Sequence, residues 1–180
     1  MNREKTERSL ESLHPASFGW ALTCCGWDRE KAEEVLQASY LKALEGRARF
    51  NGHSSMRTWF FGVVRKTAVE QRRHHGVRNA ALMRWFEKRT APLPAPTPET
   101  LSHDAEAHDR LQRMLLRLPP RQRETLHLVF YQELTIEDAA GVLGVAVGTA
   151  RTHYERGKAQ LRRLLSEAGE SRCKTTTTSN

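Results

Sequence analysis

The chain has 180 residues, of which 38% are hydrophobic, and it carries a formal net charge of +8. This hydrophobic content disfavours one large core and fits two small helical domains better. The excess of Lys and Arg favours a polyanionic partner, which is either nucleic acid or an anionic membrane surface. The less favoured alternative is that the basic residues only solvate the helix surfaces. The charged N-terminal segment has no signal-sequence pattern and "WFFGVV" is too short to span a bilayer, so we expect a cytoplasmic protein without membrane insertion.

The first part of the chain contains three predicted helices. "FGWALTCCGW" is apolar enough for a helix that Gly26 ends, and Asp28 is placed to cap a second, amphipathic helix extending to about Leu44. After the turn "FNGHSS", Ser54 or Ser55 is placed to cap a third helix that ends near Arg73. The predicted buried positions of this third helix are Met56, Trp59, Phe60, Val63 and Thr67.

The three cysteines do not indicate a disulfide framework. Cys24 and Cys25 are adjacent and poorly placed to bond to each other, whereas Cys173 lies in a polar tail. Neither CxxC nor HxxxC spacing is present, so we predict no metal site and no cofactor. Inert thiols are favoured over redox or metal sensing by the adjacent pair.

A proline-rich segment separates two predicted domains. "KRTAPLPAPTPETLSHD" contains four prolines, which remove backbone donors and favour extended conformations. The predicted organisation is a helical domain at 1–87, a flexible linker at 88–104, a second helical domain at 105–168 and a disordered tail at 169–180.

The second domain begins with two predicted helices. "AEAHDRLQRMLLRL" has helical periodicity and stops at the pair Pro119-Pro120. "RQRETLHLVFYQE" follows it as the second helix. The expected exposed residues of this helix are Arg121 and Arg123, and its expected buried residues are Leu126, Val129 and Phe130.

Residues 134–161 predict a helix-turn-helix. Thr135 and Asp138 resemble a capping box, Gly144 ends the first helix, and Ala139 and Ala140 are small enough for a close helix crossing. The residues of the second helix predicted to face the first are Val147, Ala150, Tyr154 and Leu161.

The outward face of this second helix is polar and mostly basic. Such a unit lays its second helix in the DNA major groove, where Arg donates two hydrogen bonds to guanine and Thr contacts a thymine methyl group or a phosphate. We therefore predict DNA contacts from Arg151, Thr152 and Arg156. On this segment alone, a three-helix packing motif with a solvated basic face remains an alternative.

Two stretches together resemble the extracytoplasmic-function sigma factors of bacterial RNA polymerase, over about residues 18–75 and 105–165. "LPPRQRETLHLVFYQELTIEDAAGVLGVAVGTARTHYERGKAQLRRLL" is similar to the family's region 4, which reads the minus-35 promoter element. "AEEVLQASYLKALEGRARFNGHSSMRTWFFGVVRKTAVEQRRHH" is similar to region 2, which binds the polymerase clamp and opens the minus-10 element. The resemblance implies an all-α protein that is a non-catalytic specificity subunit.

The resemblance also implies roles for individual residues. Minus-35 contacts fall on Thr149, Arg151, Thr152, Glu155, Arg156 and Lys158. Minus-10 contacts fall on Asn51, His53, Ser54, Arg57, Arg65 and Lys66. Contacts to the clamp of the large polymerase subunit fall on Glu33, Glu34 and Gln37.

Several positions depart from the family pattern. Ala38 replaces a common Glu, which weakens the clamp contact or shifts it to neighbouring residues, and Lys66 stands where the family often has Asn, so the preferred minus-10 base does not carry over. Ala150 and Tyr154 replace aliphatic core residues, which allows a different helix tilt. For the aromatic run at residues 59–61, core packing is favoured over base stacking.

The partners implied by the resemblance are core RNA polymerase, through its clamp and flap, promoter DNA and a separate anti-sigma factor. The linker corresponds to a segment that threads toward the RNA exit path in this family, although a plain tether fits its composition equally well. An enzyme is disfavoured because "LSHDAEAHD" lacks a phosphate loop or nucleophile motif. A conventional DNA-binding regulator would explain only the C-terminal half.

Overall fold

The computed structural model describes residues 3–85 and 103–175, and every regular element within these ranges is helical. The helices are α1 (Arg3–Ser12), α2 (His14–Cys24), α3 (Arg29–Leu44), α4 (Met56–Trp85), α5 (His103–Leu116), α6 (Pro120–Leu126), a π-helical turn (His127–Tyr131), α7 (Ile136–Leu143) and α8 (Val147–Thr175). The predicted all-helical fold class is confirmed. None of the helices in these ranges is long and apolar enough to cross a bilayer.

Polar side chains begin the helices of the N-terminal half where the sequence predicts them. Asp28 Oδ1 accepts a hydrogen bond from the Lys31 amide at 3.1 Å, and Ser55 Oγ accepts one from the Thr58 amide at 3.0 Å. Each such cap contributes about 1 kcal/mol. Helix α4 does not end near Arg73 as predicted but continues to Trp85, because good helix formers follow Gly76 and no proline interrupts them.

The N-terminal core lies between α2, α3 and α4. Trp20, Phe60 and Phe61 are completely buried, and the Trp20 indole nitrogen donates a hydrogen bond to the Phe61 carbonyl at 2.9 Å. Core packing is thus confirmed for both phenylalanines. The buried stripe of α4 runs through Phe60, Phe61, Val64 and Ala68, whereas the predicted core residues Met56, Trp59 and Val63 are only partly buried.

The π-helical turn changes which side chains of the following segment are buried. Phe130 is 57% exposed, contrary to the prediction, and Leu128 is buried in its place. A π turn adds a residue to one helical turn, so the side chains after it rotate away from the face that α-helical spacing predicts. Arg123, predicted to be exposed, is buried, and its guanidinium lies over the Trp27 ring at 5.7 Å.

Helices α7 and α8 form the predicted helix-turn-helix. Thr135 Oγ1 accepts a hydrogen bond from the Asp138 amide at 3.0 Å, and Gly144 ends α7 in the left-handed region with φ of 62°. Ala150 is buried as predicted. Val147, the first residue of α8, is 39% exposed, contrary to the prediction.

Helix α8 also packs closely against α6. A Cβ atom built on Gly157 would lie 3.1 Å from Leu126 Cδ1 and 3.2 Å from Gln122 Cβ. Helices α6 and α8 therefore approach each other so closely at position 157 that a side chain there would crowd α6. Helix α8 continues to Thr175, so residues 169–175, which the sequence predicts as the start of a disordered tail, are helical. Glu170, Arg172 and Lys174 are good helix formers.

The N-terminal and C-terminal helices pack against each other and share one cluster of buried residues. Val64 and Ala68 of α4 belong to the same cluster as Ala139, Val142 and Leu143 of α7. The sequence predicts two separate units and gives no indication of this contact. Of the predicted linker, only its last two residues fall within α5, and residues 86–102 lie outside the described ranges, so the domain boundaries remain predictions.

Candidate nucleic-acid and polymerase interfaces

The outward face of α8 carries the residues predicted to read DNA. Thr149, Arg151, Thr152, Glu155 and Arg156 are all exposed along the first turns of the helix. The Thr152 hydroxyl donates to the Gly148 carbonyl at 2.9 Å, which leaves its methyl group free for an apolar contact. Lys158 differs because it is partly buried, with Nζ 4.9 Å from the Tyr154 ring centroid and 3.4 Å from a Glu155 carboxylate oxygen.

A second exposed surface lies on α3. Glu33, Glu34 and Gln37 are exposed, and Glu33 accepts a hydrogen bond from Arg29 Nε at 2.9 Å. Leu41 is 47% exposed. It lies one turn beyond Gln37 on the same side of the helix. The predicted polymerase-binding residues did not include Leu41, although its helical spacing from Glu34 and Gln37 places it on the same face.

The loop between α3 and α4 presents three of the predicted minus-10 residues to solvent. Asn51, His53 and Ser54 are exposed, and Asn51 Oδ1 accepts a hydrogen bond from the His53 amide at 3.3 Å. Gly52 between them has φ of 79°, a left-handed conformation that favours glycine. Lys66 on α4 is exposed as well.

The other two predicted minus-10 residues, Arg57 and Arg65, contact the C-terminal helices. Arg57 Nη2 donates to Gln132 Oε1 at 2.6 Å, and Arg65 Nε lies 3.0 Å from Glu124 Oε2. The Arg65 and Glu124 side chains are only 12% and 4% exposed. Arg121 Nη1 lies 3.7 Å from the same Glu124 oxygen. The structure therefore exposes four of the six predicted minus-10 residues and covers two.

A histidine connects the two halves through hydrogen bonds. Because Arg57 donates to the Gln132 carbonyl oxygen, the Gln132 amide nitrogen points to His127 Nε2, 3.1 Å away. His127 Nε2 must then accept, so the proton is on Nδ1, 2.9 Å from Thr23 Oγ1. The ring stacks on Trp20 with a centroid distance of 5.5 Å. Burial of the imidazole lowers the pKa of His127 to about 4.

The adjacent cysteines have the properties of inert thiols. Burial raises the pKa of Cys24 well above its ordinary value, and burial raises the pKa of Cys25 to about 11. Both are therefore thiols at neutral pH, whereas reactive cysteines need a substantial thiolate fraction. In the part of the chain that the structure describes, no group of three His, Cys, Asp or Glu residues is arranged to hold a metal ion.

An apolar groove of about 250 Å³ lies on the C-terminal half. Its walls include Leu111 and Leu115 of α5, Leu126 of α6 and Leu161 of α8. Trp27, from the turn between α2 and α3, also lines it. The exposed rings of Phe130 and Tyr131 extend this apolar surface. The sequence did not predict the groove, because it is assembled from four separate segments.

Comparisons with known protein families match both halves of the chain. Residues 10–78 match the family Sigma-70 region 2, and residues 108–161 match Sigma-70, region 4. The sigma factor YlaC of Bacillus subtilis is 28% identical over 141 residues, which span 78% of this chain and 81% of YlaC. The ECF RNA polymerase sigma factor SigC of Mycobacterium tuberculosis is 30% identical over 160 residues, which span 84% of this chain and 80% of SigC.

Solved structures of two sigma factors share the fold. The sigma factor RpoE of Bartonella quintana, in complex with the anti-sigma factor NepR, has a TM-score of 0.71 and 23% identity over 91% of this chain and 98% of RpoE. CnrH, in complex with the cytosolic domain of CnrY, has a TM-score of 0.63 and 18% identity over 92% of this chain and 90% of CnrH. Because both regions match in order and the relatives align along most of its length, the chain belongs to the extracytoplasmic-function family of RNA polymerase sigma factors.

Proposed function

We propose that this sigma factor selects promoters by reading the minus-35 element with α8, opening the minus-10 element with α4 and its preceding loop, and docking on the polymerase clamp through α3. The observation that carries this proposal is the division of α8 into two faces. Ala150 and Gly157 pack inward, whereas Arg151, Thr152 and Arg156 point to solvent. That arrangement is the one by which a helix-turn-helix presents side chains to a DNA groove.

Reading of the minus-35 element depends on the fork of donors that each arginine presents. Arg151 and Arg156 are exposed and can each donate two hydrogen bonds to the O6 and N7 atoms of a guanine. Lys158 is a compact cation near the edge of this surface, where it suits a phosphate better than a base. Base contacts then set the sequence preference, and phosphate contacts set the overall affinity.

Opening of the minus-10 element needs groups that hold an unstacked strand. The exposed loop offers the amide of Asn51, the ring of His53 and the hydroxyl of Ser54 for hydrogen bonds to a flipped base. Lys66 supplies a cation for the phosphates of the displaced strand. Phe60 and Phe61 are buried and serve as the core that supports this surface, not as stacking platforms.

Docking on polymerase uses two surfaces. On α3, the exposed carboxylates Glu33 and Glu34 and the amide Gln37 are followed by the exposed Leu41, so the surface combines charge with an apolar end. Leu41 lies one turn beyond Gln37 and adds an apolar contact to this surface, whereas Ala38 lacks the carboxylate that the family often has there. On the C-terminal half, the apolar groove is suited to a helix with an apolar face, and we assign it to the polymerase flap.

An anti-sigma factor is the proposed regulator. Of the two proteins that share the fold, RpoE was solved with the anti-sigma factor NepR, and CnrH was solved with the cytosolic domain of CnrY. We expect this chain to bind a protein of that kind across both halves. Co-purification from the native host tests this, and recovery of polymerase subunits alone would point to control by synthesis or proteolysis.

In vitro transcription with purified core RNA polymerase tests the proposed function. We expect transcripts from a restricted set of promoters in a genomic template library, and none with core enzyme alone. Glu34→Lys on α3 should reduce transcription from all of these promoters, whereas Glu167→Gln on the far part of α8 should not. The proposal fails if the folded chain with core enzyme yields no promoter-specific transcripts.

A further inference from the structure

Helix α8 carries a carboxylate among the cations of its outward face. Glu155 lies one turn beyond Arg151 and next to Arg156, and its side chain is 60% exposed. Residues four positions apart lie on the same side of a helix, so Glu155 enters a DNA groove together with Arg151. A carboxylate at this place is repelled by the DNA phosphates, and the repulsion must be offset if DNA is to bind.

Lys158 supplies part of this compensation. Its Nζ atom lies 3.4 Å from each of the two carboxylate oxygens of Glu155. The same Nζ atom lies 4.9 Å from the centroid of the Tyr154 ring, and the Lys158 side chain is only 27% exposed. The ammonium group is thus held on the flank of α8, whereas the carboxylate faces solvent. An ion pair of this kind at the surface is weak, so Glu155 can still accept a hydrogen bond from another donor.

The major-groove edges of the four bases differ in what they offer to Glu155. An ionised carboxylate only accepts hydrogen bonds. Guanine presents the acceptors N7 and O6 and thymine presents the acceptor O4, so both bases repel a carboxylate. Cytosine presents its N4 amino group as a donor, whereas adenine places the acceptor N7 beside its N6 amino group. Cytosine is therefore the base that suits Glu155 best.

We propose that Glu155 reads a cytosine of the minus-35 element by accepting a hydrogen bond from its N4 amino group, and that Lys158 positions and partly neutralises the Glu155 carboxylate. This inference rests on the proposed function, because it takes α8 as the minus-35 reader. Four residues advance a helix by about 6 Å, and successive base pairs are about 3.4 Å apart. The cytosine should therefore lie within about two base pairs of the guanine that Arg151 reads.

In vitro transcription tests the inference, using core polymerase and a promoter that the chain transcribes, with its minus-35 element randomised and each template identified by a sequence tag. The parent should favour cytosine at one position by about tenfold, as expected of one well-placed base contact. Glu155→Gln should move this preference to adenine, because a glutamine amide pairs with the N6 and N7 atoms of adenine. Glu155→Ala should abolish the preference at this position and leave the guanine preference set by Arg151.

Variants of Lys158 test its positioning role. Lys158→Met keeps an unbranched stem near Tyr154 but removes the charge, so it should lower the transcript yield from all templates, and Lys158→Arg should restore the yield. The loss should be smaller in a chain that also carries Glu155→Gln, because that chain has no carboxylate to neutralise. An equal loss in both backgrounds would show that Lys158 acts on DNA without positioning Glu155.

A matched carboxylate on the same helix serves as the control. Glu167→Gln removes an exposed charge about three turns further along α8 and should give the base preferences of the parent. Circular dichroism checks the folding of every variant. If folded Glu155→Gln and Glu155→Ala keep the parent's preference at every position and change only the yield, Glu155 acts through its charge alone and the inference is refuted. A parent that transcribes all minus-35 sequences equally would instead refute reading by α8, and the inference would fail together with the proposed function.

Discussion

Acidification should weaken the folded chain through His127. Its pKa is about 4 in the structure, compared with about 6.5 for an unperturbed histidine. The unfolded chain therefore takes up the proton first as the pH falls, and the native state loses stability between about pH 7 and pH 4. Linkage with these two pKa values gives a loss of about 2 kcal/mol between pH 7 and pH 5, and a limit of about 3 kcal/mol below pH 4.

The geometry gives a specific cause for this loss. Protonation would place an N–H group on His127 Nε2, where the Gln132 amide nitrogen already donates, and Arg57 prevents the Gln132 side chain from turning over. The proton would also add a positive charge near the Arg57 guanidinium. Both effects act at the contact between the two halves, so acid should weaken this contact together with the fold.

Urea unfolding followed by circular dichroism at pH 7 and pH 5 measures the effect. His127→Gln keeps an acceptor for the Gln132 amide but cannot be protonated, so its free energy of unfolding should depend less on pH, by about 2 kcal/mol across this interval. His53→Gln alters an exposed histidine in the loop before α4 and should keep the pH dependence of the parent. The reasoning is refuted if His127→Gln loses as much stability between pH 7 and pH 5 as the parent does.

Three further predictions concern α8. Arg151→Ala and Arg156→Ala should each cost about 1–3 kcal/mol of discrimination between the native promoter and one with a scrambled minus-35 element, and folded variants that transcribe both templates like the parent would show that α8 is not the reader. Lys158→Ala should weaken binding to all DNA sequences and reduce the salt dependence by about one released counterion, measured by anisotropy at several salt concentrations; a change confined to one sequence would contradict a phosphate contact. Tyr154→Ala should lower the free energy of unfolding by about 1–3 kcal/mol, because the Tyr154 ring is partly buried and its centroid lies 5.7 Å from that of Phe130. An unchanged urea midpoint would refute this packing role.

Local signals in the sequence predict much of the fold. Asp28, Thr135 and Gly144 act at the helix ends where the capping rules place them, because these rules involve only neighbouring backbone groups. The outward residues of α8 were also predictable, since helical periodicity separates them from Ala150. These features depend on interactions within one or two helical turns.

The sequence did not predict features that depend on contacts between residues far apart in the chain. Arg123 was predicted to be exposed because its charge favours water, but the Trp27 ring from the other half covers it. Phe130 was predicted to be buried because α-helical spacing was assumed through the π-helical turn. Arg57 and Arg65 were predicted as DNA contacts, and no periodicity could show that Gln132 and Glu124 would meet them from more than fifty residues away.

Gly157 limits which residues can occupy the inner face of α8. Any larger residue there would press on Gln122 Cβ, an atom fixed to the α6 backbone, at about 3.2 Å, so the helices themselves would have to move apart. Because α8 is one continuous helix, a displacement at Gly157 would be carried to Arg151, about 9 Å along the axis. A substitution that never touches DNA would thereby change the angle at which the arginines enter the groove. If α8 reads the promoter as proposed, promoter preference should depend on side-chain volume on the inner face of α8 as well as on side-chain chemistry on its outer face.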